Sequence, residues 1–278
     1  MKNRLYIAVG VTLLTAISSC TKFIEYSPRE DYQITADDYF KTAEDYQKML
    51  VGVYSPTQWL WAVPVIGDIA SDNSVSGGEN ATDVLGLQQI DDYTTVPVNS
   101  YMTEIWKSCY EGINRANYLE ENKNKLDFPG KDQVYGQVYF LRAYYYFELV
   151  RFFGDVPLFT ERRLGVGDSK KFGRSPKAEV YAQIETDLRA AIASLPTTTN
   201  EPGRATKYAA QALLGKVLLY QGTDANRGKF EEAATVLDEV INGPFSLVSD
   251  FGSIFLASGE NGPESVYEVQ YSNNNPFY

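Results

Sequence analysis

The stretch VYFLRAYYYFELVRFFGD, residues 138–155, decides the fold of this chain. Its apolar side chains cover nearly the whole circumference of a helix that we predict over about 131–153, and a helix of that kind is buried on most sides. Gly154 and Pro157 end it, because glycine favours a left-handed helix cap and proline cannot continue a helix. The sequence therefore predicts a central helix in the core, with other helices packed around it.

Further helical patterns occur before and after this central helix in the sequence. In most of them, apolar residues are spaced three and four positions apart. One further segment, ESVYEVQY at 264–271, alternates apolar and polar residues and predicts a strand. We therefore expect a mostly α fold with long loops and minor β structure. The predicted helices cover about 35–54, where TADD resembles a capping box, then 101–122, 131–153, 175–196, 206–221 and 230–241. Ser175 is expected to be the N-cap of the helix at 175–196, with Pro176 at its first position.

Two of these helices resemble a tetratricopeptide repeat, AAQALLGKVLLYQG at 209–222 and KFEEAATVLDEVI at 229–241. Gly215 is expected to give close contact between the paired helices, and Ala233 and Ala234 to let the second helix approach. Repeats of this type bury their apolar faces only against neighbours. The preceding helices are therefore expected to form similar hairpins and to stack into a short superhelix.

The N-terminus reads as a targeting signal. Lys2 and Arg4 precede an uncharged apolar run that ends in ISSC, with Cys20 as its last residue. The run is shorter than the ~20 residues that span a bilayer, and its layout is typical of a secretory signal. The ISSC ending resembles a bacterial lipobox, which predicts a signal peptide at 1–19 and acylation of Cys20. The alternative is an ordinary secreted protein with a chance cysteine.

Composition excludes several classes of function. The net charge of −11 argues against nucleic acid and anionic lipid as partners, since both need a basic surface. The chain has no histidine, which removes Ser-His-Asp and Cys-His catalysis. No pair of carboxylates is set apart as a glycosidase would require, so we expect no enzyme and no cofactor. Cys109 is the only cysteine besides Cys20 and is expected to lie in the core.

Helical periodicity is lost between about 55 and 95, and long irregular segments often carry function. Trp59 and Trp61 offer flat faces for stacking, and Asp72 and Asn73 offer hydrogen-bonding edges, with Tyr93 close by. Stacking faces beside polar groups suit a sugar or a similar ligand. In an extended chain only one of the two tryptophans would face that ligand. The alternative is that both tryptophans pack the segment onto the helices.

Two weaker motifs are not expected to bind ligands. The spacing from Asp72 to Asp83 is similar to that of a calcium loop, but serines stand where carboxylates are needed, so we predict no metal. The glycine-bearing basic loop at 165–174 lacks a preceding strand, so a phosphate site is disfavoured.

Taken together, several stretches resemble the SusD/RagB-type nutrient-binding lipoproteins of Bacteroidetes. They occur in the order that this family shows and extend over roughly 30–270 of the chain. The stretches are INRAN (113–117), LRAYYYFELVRFFGDVPLF (141–159), SPKAEVYAQIETDL (175–188), GRATKYAAQALLGKVLLY (203–220), FEEAATVLDEVI (230–241) and ESVYEVQY (264–271).

The resemblance implies a lipoprotein of the outer membrane, facing the cell surface, with the lipid on Cys20 as its membrane contact. It implies that the protein captures oligosaccharides or peptides and passes them to a TonB-dependent transporter, on which it sits as a lid. Members of this family are longer, so residues 20–278 are expected to be a SusD-like helical-repeat domain that is incomplete at its C-terminus. The alternative function is a helical-repeat scaffold that binds another protein of the cell envelope.

Overall fold

The computed structural model describes residues 39–80, 82–165, 167–223 and 226–271. The predicted signal peptide, Cys20 and the predicted capping box at 35–38 lie outside these ranges. Within them, no helix combines the length and the apolar character that crossing a membrane would require.

Helices account for most of the described structure. The α-helices are α1 Ala43–Tyr54, α2 Ala62–Ile69, α3 Leu85–Asp91, α4 Ser100–Glu121, α5 Lys131–Phe153, α6 Lys177–Ser194, α7 Lys207–Gln221 and α8 Gly228–Ile241. Short 3₁₀ segments occur at Ser55–Trp61, Asp168–Lys170, Phe251–Phe255 and Ala257–Gly259.

The central helix is confirmed at its predicted bounds. Helix α5 packs against α4, α6 and α1, and Tyr145, Tyr146 and Phe147 in its middle are almost completely buried. Their hydroxyls are satisfied, because Tyr145 donates to the Val53 carbonyl at 2.6 Å and Tyr146 to the Phe159 carbonyl at 2.8 Å. Buried tyrosines generally need such partners. The tyrosine-rich centre of α5 is therefore the core around which its neighbours pack.

A buried ion pair joins three elements of the core. Arg142 on α5 forms two hydrogen bonds of 2.8 Å to the Asp187 carboxylate on α6. The same guanidinium donates to the Asn117 side chain on α4 at 2.9 Å and to the Thr160 carbonyl at 2.8 Å. Burial alone would lower the pKa of Arg142, but the hydrogen bonds and charge of Asp187 outweigh it and raise that pKa. The INRAN, LRAYYYF and IETDL stretches thus meet at one network.

The tetratricopeptide-like pair is formed by α7 and α8, which pack against each other. A Cβ added at Gly215 would lie 2.5 Å from Leu237 Cδ2, so only glycine allows this close approach. Ala233 is buried in the contact, as predicted, whereas Ala234 is exposed and takes no part in it. The prediction was correct for one alanine because adjacent helical residues point about 100° apart.

Helix α1 begins later than the sequence suggested. Thr42 is its N-cap, and the Thr42 and Asp45 side chains each accept a hydrogen bond from the other's backbone N–H. These reciprocal bonds form a capping box. They fix the start of the helix at Ala43, and the helix ends at Tyr54 as predicted.

Two other local predictions were wrong. Residues 264–271 are extended but not a strand, because no second strand pairs with them in the described part of the chain and a strand needs such a partner. Ser175 does not cap α6. It forms an isolated antiparallel bridge with Val156 instead, and the Asp155 carboxylate caps the helix by accepting from the Lys177 N–H at 2.8 Å.

Candidate functional site

The segment predicted to be irregular, 55–95, contains a 3₁₀ turn and two short helices. In the Ser55–Trp61 turn, Thr57 and Leu60 are buried, since residues three apart share one side of a 3₁₀ helix. Thr57 also donates its hydroxyl to the Tyr54 carbonyl at 2.8 Å. Trp59 and Trp61 point outward instead, 47% and 51% exposed. The expectation that only one would face a ligand assumed an extended chain, whereas the segment is a 3₁₀ turn that leaves both tryptophans exposed.

Trp61 lies beside the start of α4. Its ring meets the Tyr101 ring edge-on, with centroids 6.4 Å apart. Tyr101 sits in the first turn of α4, whose N-cap is Asn99, and the Asn99 amide also donates to the Gly86 carbonyl at 2.8 Å. Asn99 is almost completely buried. It thereby ties α3 to α4 and holds Tyr101 in position next to Trp61.

Tyr93 lies at the far end of α3, 79% exposed, and donates its hydroxyl to the Ala70 carbonyl at 2.6 Å. Asp72 and Asn73 are exposed in the turn that follows Ala70. Tyr93 has a φ of 54° and Val84 a φ of 44°, so both flanks of α3 adopt a left-handed conformation that is strained, most of all for valine. Strain of this kind concentrates at functional sites.

The predicted residues therefore form two groups. Tyr93 is brought to the Asp72–Asn73 turn, and Trp61 is brought to Tyr101. In the described part of the chain, no hydrogen bond or ring contact joins Trp59 or Trp61 directly to Asp72, Asn73 or Tyr93. The structure places all five side chains at or near the surface, which leaves both groups open to a ligand.

Tyr271 is a candidate residue that the sequence analysis missed. It is 59% exposed, and its hydroxyl lies 3.5 Å from the Thr57 carbonyl and 3.4 Å from the Gln58 carbonyl. It thus stands next to Trp59, although 214 positions separate it from Thr57 in the sequence. The extended segment that carries Tyr271 is held by Tyr267, whose ring packs edge-on against Phe140 of α5 at 5.1 Å. Burial raises the pKa of Tyr267 well above its ordinary value.

A second aromatic surface surrounds Trp106 on α4. Trp106 lines an apolar cavity of about 450 Å³ together with Tyr110, Phe159 and Phe172. Tyr110 stacks on Phe159 with a 5.7 Å centroid distance and donates its hydroxyl to the Pro157 carbonyl at 2.9 Å. The polar groups needed to orient a sugar are few here, so this cavity matches a glycan less well than the surface around Trp59.

The basic loop at 165–174 is organised by a carboxylate. Asp168 accepts hydrogen bonds from Arg162 at 2.9 Å and Lys171 at 2.8 Å, and from the Gly165 N–H at 2.9 Å. These bonds hold the pKa of Asp168 well below its usual value. Lys171 of this loop and Arg162 just before it are thus both engaged with Asp168. Over the ranges that the structure describes, no three Asp, Glu or Cys side chains converge as metal ligands would.

Several solved structures similar to this chain are named as glycan-binding proteins. A laminarin-binding SusD-like protein matches 82% of this chain and 51% of its own, with 31% identity and a TM-score of 0.73. Surface glycan-binding protein A from Bacteroides thetaiotaomicron, solved in complex with laminarihexaose, matches 83% of this chain and 50% of its own, with 26% identity and a TM-score of 0.73.

Comparison of sequences also finds SusD-like proteins among the relatives of this chain. SusD-like protein P2 of Formosa agariphila is 27% identical over 260 residues, which is 86% of this chain and 48% of that protein. The chain thus spans about half the length of the curated relatives it matches. A family profile described as "Starch-binding associating with outer membrane" matches residues 22–219. Since that match covers well over half of the sequence, this chain belongs to the SusD-like family of glycan-binding, outer-membrane-associated proteins.

Proposed function

We propose that this protein is a lipid-anchored receptor of the outer membrane that binds a glycan and delivers it to a TonB-dependent transporter. The observation that carries the proposal is the exposure of three aromatic residues at the Ser55–Trp61 turn, because Trp59, Trp61 and Tyr271 are each about half exposed. We call these three residues the Trp59–Trp61–Tyr271 surface. Aromatic rings held in this way offer stacking faces to the C–H faces of sugars. A related protein has been solved with laminarihexaose bound, which supports a glycan as the ligand.

The proposed mechanism is affinity without turnover. The surface is rigid before the ligand arrives, because the 3₁₀ turn is anchored by Thr57 and Leu60 and by the helix before it. At the end of that helix, the Tyr54 hydroxyl donates to the Gln137 side chain at 2.9 Å and accepts from the Ala205 N–H at 2.9 Å. Preorganisation reduces the entropy lost on binding. Asp72 and Asn73 are proposed to supply hydrogen-bonding edges, and we propose no catalytic residue.

Calorimetry with the full-length mature protein tests the binding site. We expect heat on titration with laminarihexaose or with another member of an oligosaccharide panel. Trp59→Ala and Trp61→Ala should each weaken that binding about fivefold to tenfold, since a stacking contact contributes about 1 kcal/mol. Phe251→Ala is the matched control, because it removes a 71% exposed aromatic ring outside the site and should leave the affinity unchanged. A panel of glycans and peptides that gives no heat at all would refute the receptor function.

Metabolic labelling tests the anchor. Cells that express the protein with an alkyne analogue of palmitate should give a labelled band, and Cys20→Ala should remove the label and release the protein from membranes. Two or more acyl chains anchor stably, and the family description places its members at the outer membrane. A wild-type band that carries no label would rule out the lipid anchor while leaving glycan binding open.

A further inference from the structure

Two long parts of the chain contain no basic residue. No lysine or arginine occurs between Lys48 and Lys107, and none follows Lys229. The first of these base-free segments carries Trp59 and Trp61, and the second carries Tyr271. The contact of the Tyr271 hydroxyl with the Thr57 and Gln58 carbonyls joins them. The aromatic surface is therefore built entirely from segments that lack positive charge.

Both segments are rich in carboxylates. Within the described residues, none of the six acids between Trp61 and Ser100 forms an ion pair, and in the second segment only Glu232 does. Unpaired carboxylates at neutral pH leave a negative field over the surface. The acids of the first segment are Asp68, Asp72, Glu79, Asp83, Asp91, Asp92 and Glu104, and those of the second, up to Tyr271, are Glu231, Glu232, Asp238, Glu239, Asp250, Glu260, Glu264 and Glu268.

Two cations that packing brings close to the first helix and the 3₁₀ turn, Arg115 and Arg204, are already engaged. Arg115 on α4 donates to the Gly52 carbonyl at 2.7 Å and pairs with Glu111. Arg204 pairs with Glu201 at 2.9 Å and lies 5.4 Å from the centre of the Tyr54 ring. Neither charge is available to a ligand at Trp59 without breaking its existing pair.

We infer that the ligand of the Trp59–Trp61–Tyr271 surface is a neutral glycan, and that the surface rejects glycans bearing uronate or sulfate groups. This inference rests on the proposed glycan-binding function and narrows its substrate class. Stacking is indifferent to charge, so the aromatic rings alone would accept a neutral or an anionic sugar. The carboxylates discriminate, because bringing like charges together disfavours the anionic ligand without any clash of shape. Salt screens this repulsion over about 10 Å at 0.1 M.

The experiment compares neutral and anionic oligosaccharides of equal length on the full-length mature protein. The neutral probes are laminari-, malto-, cello- and mannohexaose, and the anionic probes are oligogalacturonate and oligomannuronate hexamers. At about 10 mM NaCl we expect at least one neutral hexamer to bind and both anionic hexamers to bind at least tenfold more weakly than that one. Between 10 and 500 mM NaCl, the affinity for the neutral hexamer should change less than twofold.

Charge reversal tests whether the carboxylates cause the selectivity for neutral glycans. Glu79 and Asp92 are exposed side chains of the first base-free segment, so Glu79→Lys/Asp92→Lys reverses two charges of that segment and leaves Trp59, Trp61 and Tyr271 in place. At 10 mM NaCl this variant should bind the anionic hexamers at least threefold more tightly than wild type does. Glu161→Lys/Glu179→Lys makes the same change in net charge on other exposed positions and should have a smaller effect.

The outcomes separate this inference from the function on which it rests. An anionic hexamer that binds as tightly as the best neutral one would overturn the inference and leave the receptor function standing. Equal gains from the two charge-reversal variants would also overturn it, because the selectivity would then come from net charge and not from this surface. No binding of any hexamer, neutral or anionic, would remove the proposed function and the inference with it.

Discussion

At the scale of single residues, the buried Arg142–Asp187 pair is the most consequential interaction of the core. Both side chains of the pair are buried, and the pair links α5 to α6. Arg142 also donates a hydrogen bond to Asn117 on α4. A buried pair gains little over well-packed apolar residues, but removing one partner leaves an uncompensated charge. Its main effect is therefore to fix how three helices meet, since any other arrangement would leave a charge unpaired.

A double-mutant cycle measures this effect. Arg142→Met should lower the free energy of unfolding by about 3–5 kcal/mol, because it leaves the Asp187 carboxylate buried alone. Arg142→Met/Asp187→Leu should cost clearly less than the sum of the two single changes, since both charges are removed together. Urea unfolding followed by circular dichroism provides the values. Additive single and double effects would show that the pair does not act as a unit.

The ends of the helices show which structural features can be predicted from the sequence and which cannot. The bounds of α5 could be predicted because an apolar run, a left-handed Gly154 and a proline mark them locally. The cap of α6 could not, because its acceptor is the carboxylate of Asp155, which lies beyond the isolated bridge at Ser175. A local sequence pattern indicates whether a segment tends to form a helix. It does not indicate which distant side chain will contact the segment in the folded protein.

In the candidate site as well, some features could be predicted from the sequence and others depend on packing between distant segments. Trp59 and Trp61 could be predicted as candidate ligand contacts from residue type and from the loss of periodicity around them. Their shared exposure depends on a 3₁₀ turn, and the place of Tyr271 beside them depends on packing between segments far apart in sequence. Neither fact has a local signature, so the sequence indicated Trp59 and Trp61, and the structure added Tyr271.

Helix pairing can be tested at its closest contact. Gly215→Ala would place a Cβ 2.5 Å from Leu237 Cγ and Cδ2, so α7 and α8 must separate or Leu237 must leave its rotamer. We expect a loss of about 1–3 kcal/mol in unfolding free energy. Gly67→Ala in α2 is the control, because nothing lies within 4 Å of its added Cβ, and it should stabilise by about 0.5–1 kcal/mol. A Gly215→Ala protein as stable as wild type would contradict the close packing.

For the whole molecule, the distribution of charge matters more than its total. Many acids of the helical repeats are paired, as where Arg189 and Lys229 join Glu185 on α6 to Glu232 on α8. Most acids of the two base-free segments are not. The excess negative charge is therefore concentrated in the two segments that carry the aromatic residues, where the carboxylates also repel one another.

This repulsion predicts a salt effect on stability. Raising NaCl from 10 to 500 mM should raise the unfolding midpoint by a few degrees, about 1 kcal/mol for a chain of this size, because salt screens repulsion among unpaired carboxylates. Screening weakens the ion pairs as well, but exposed pairs contribute little. Differential scanning calorimetry gives the midpoints. Glu79→Lys/Asp92→Lys removes two of the repelling charges and should show a smaller rise than wild type. A midpoint that falls with salt would mean that attraction, and not repulsion, dominates the charges of this protein.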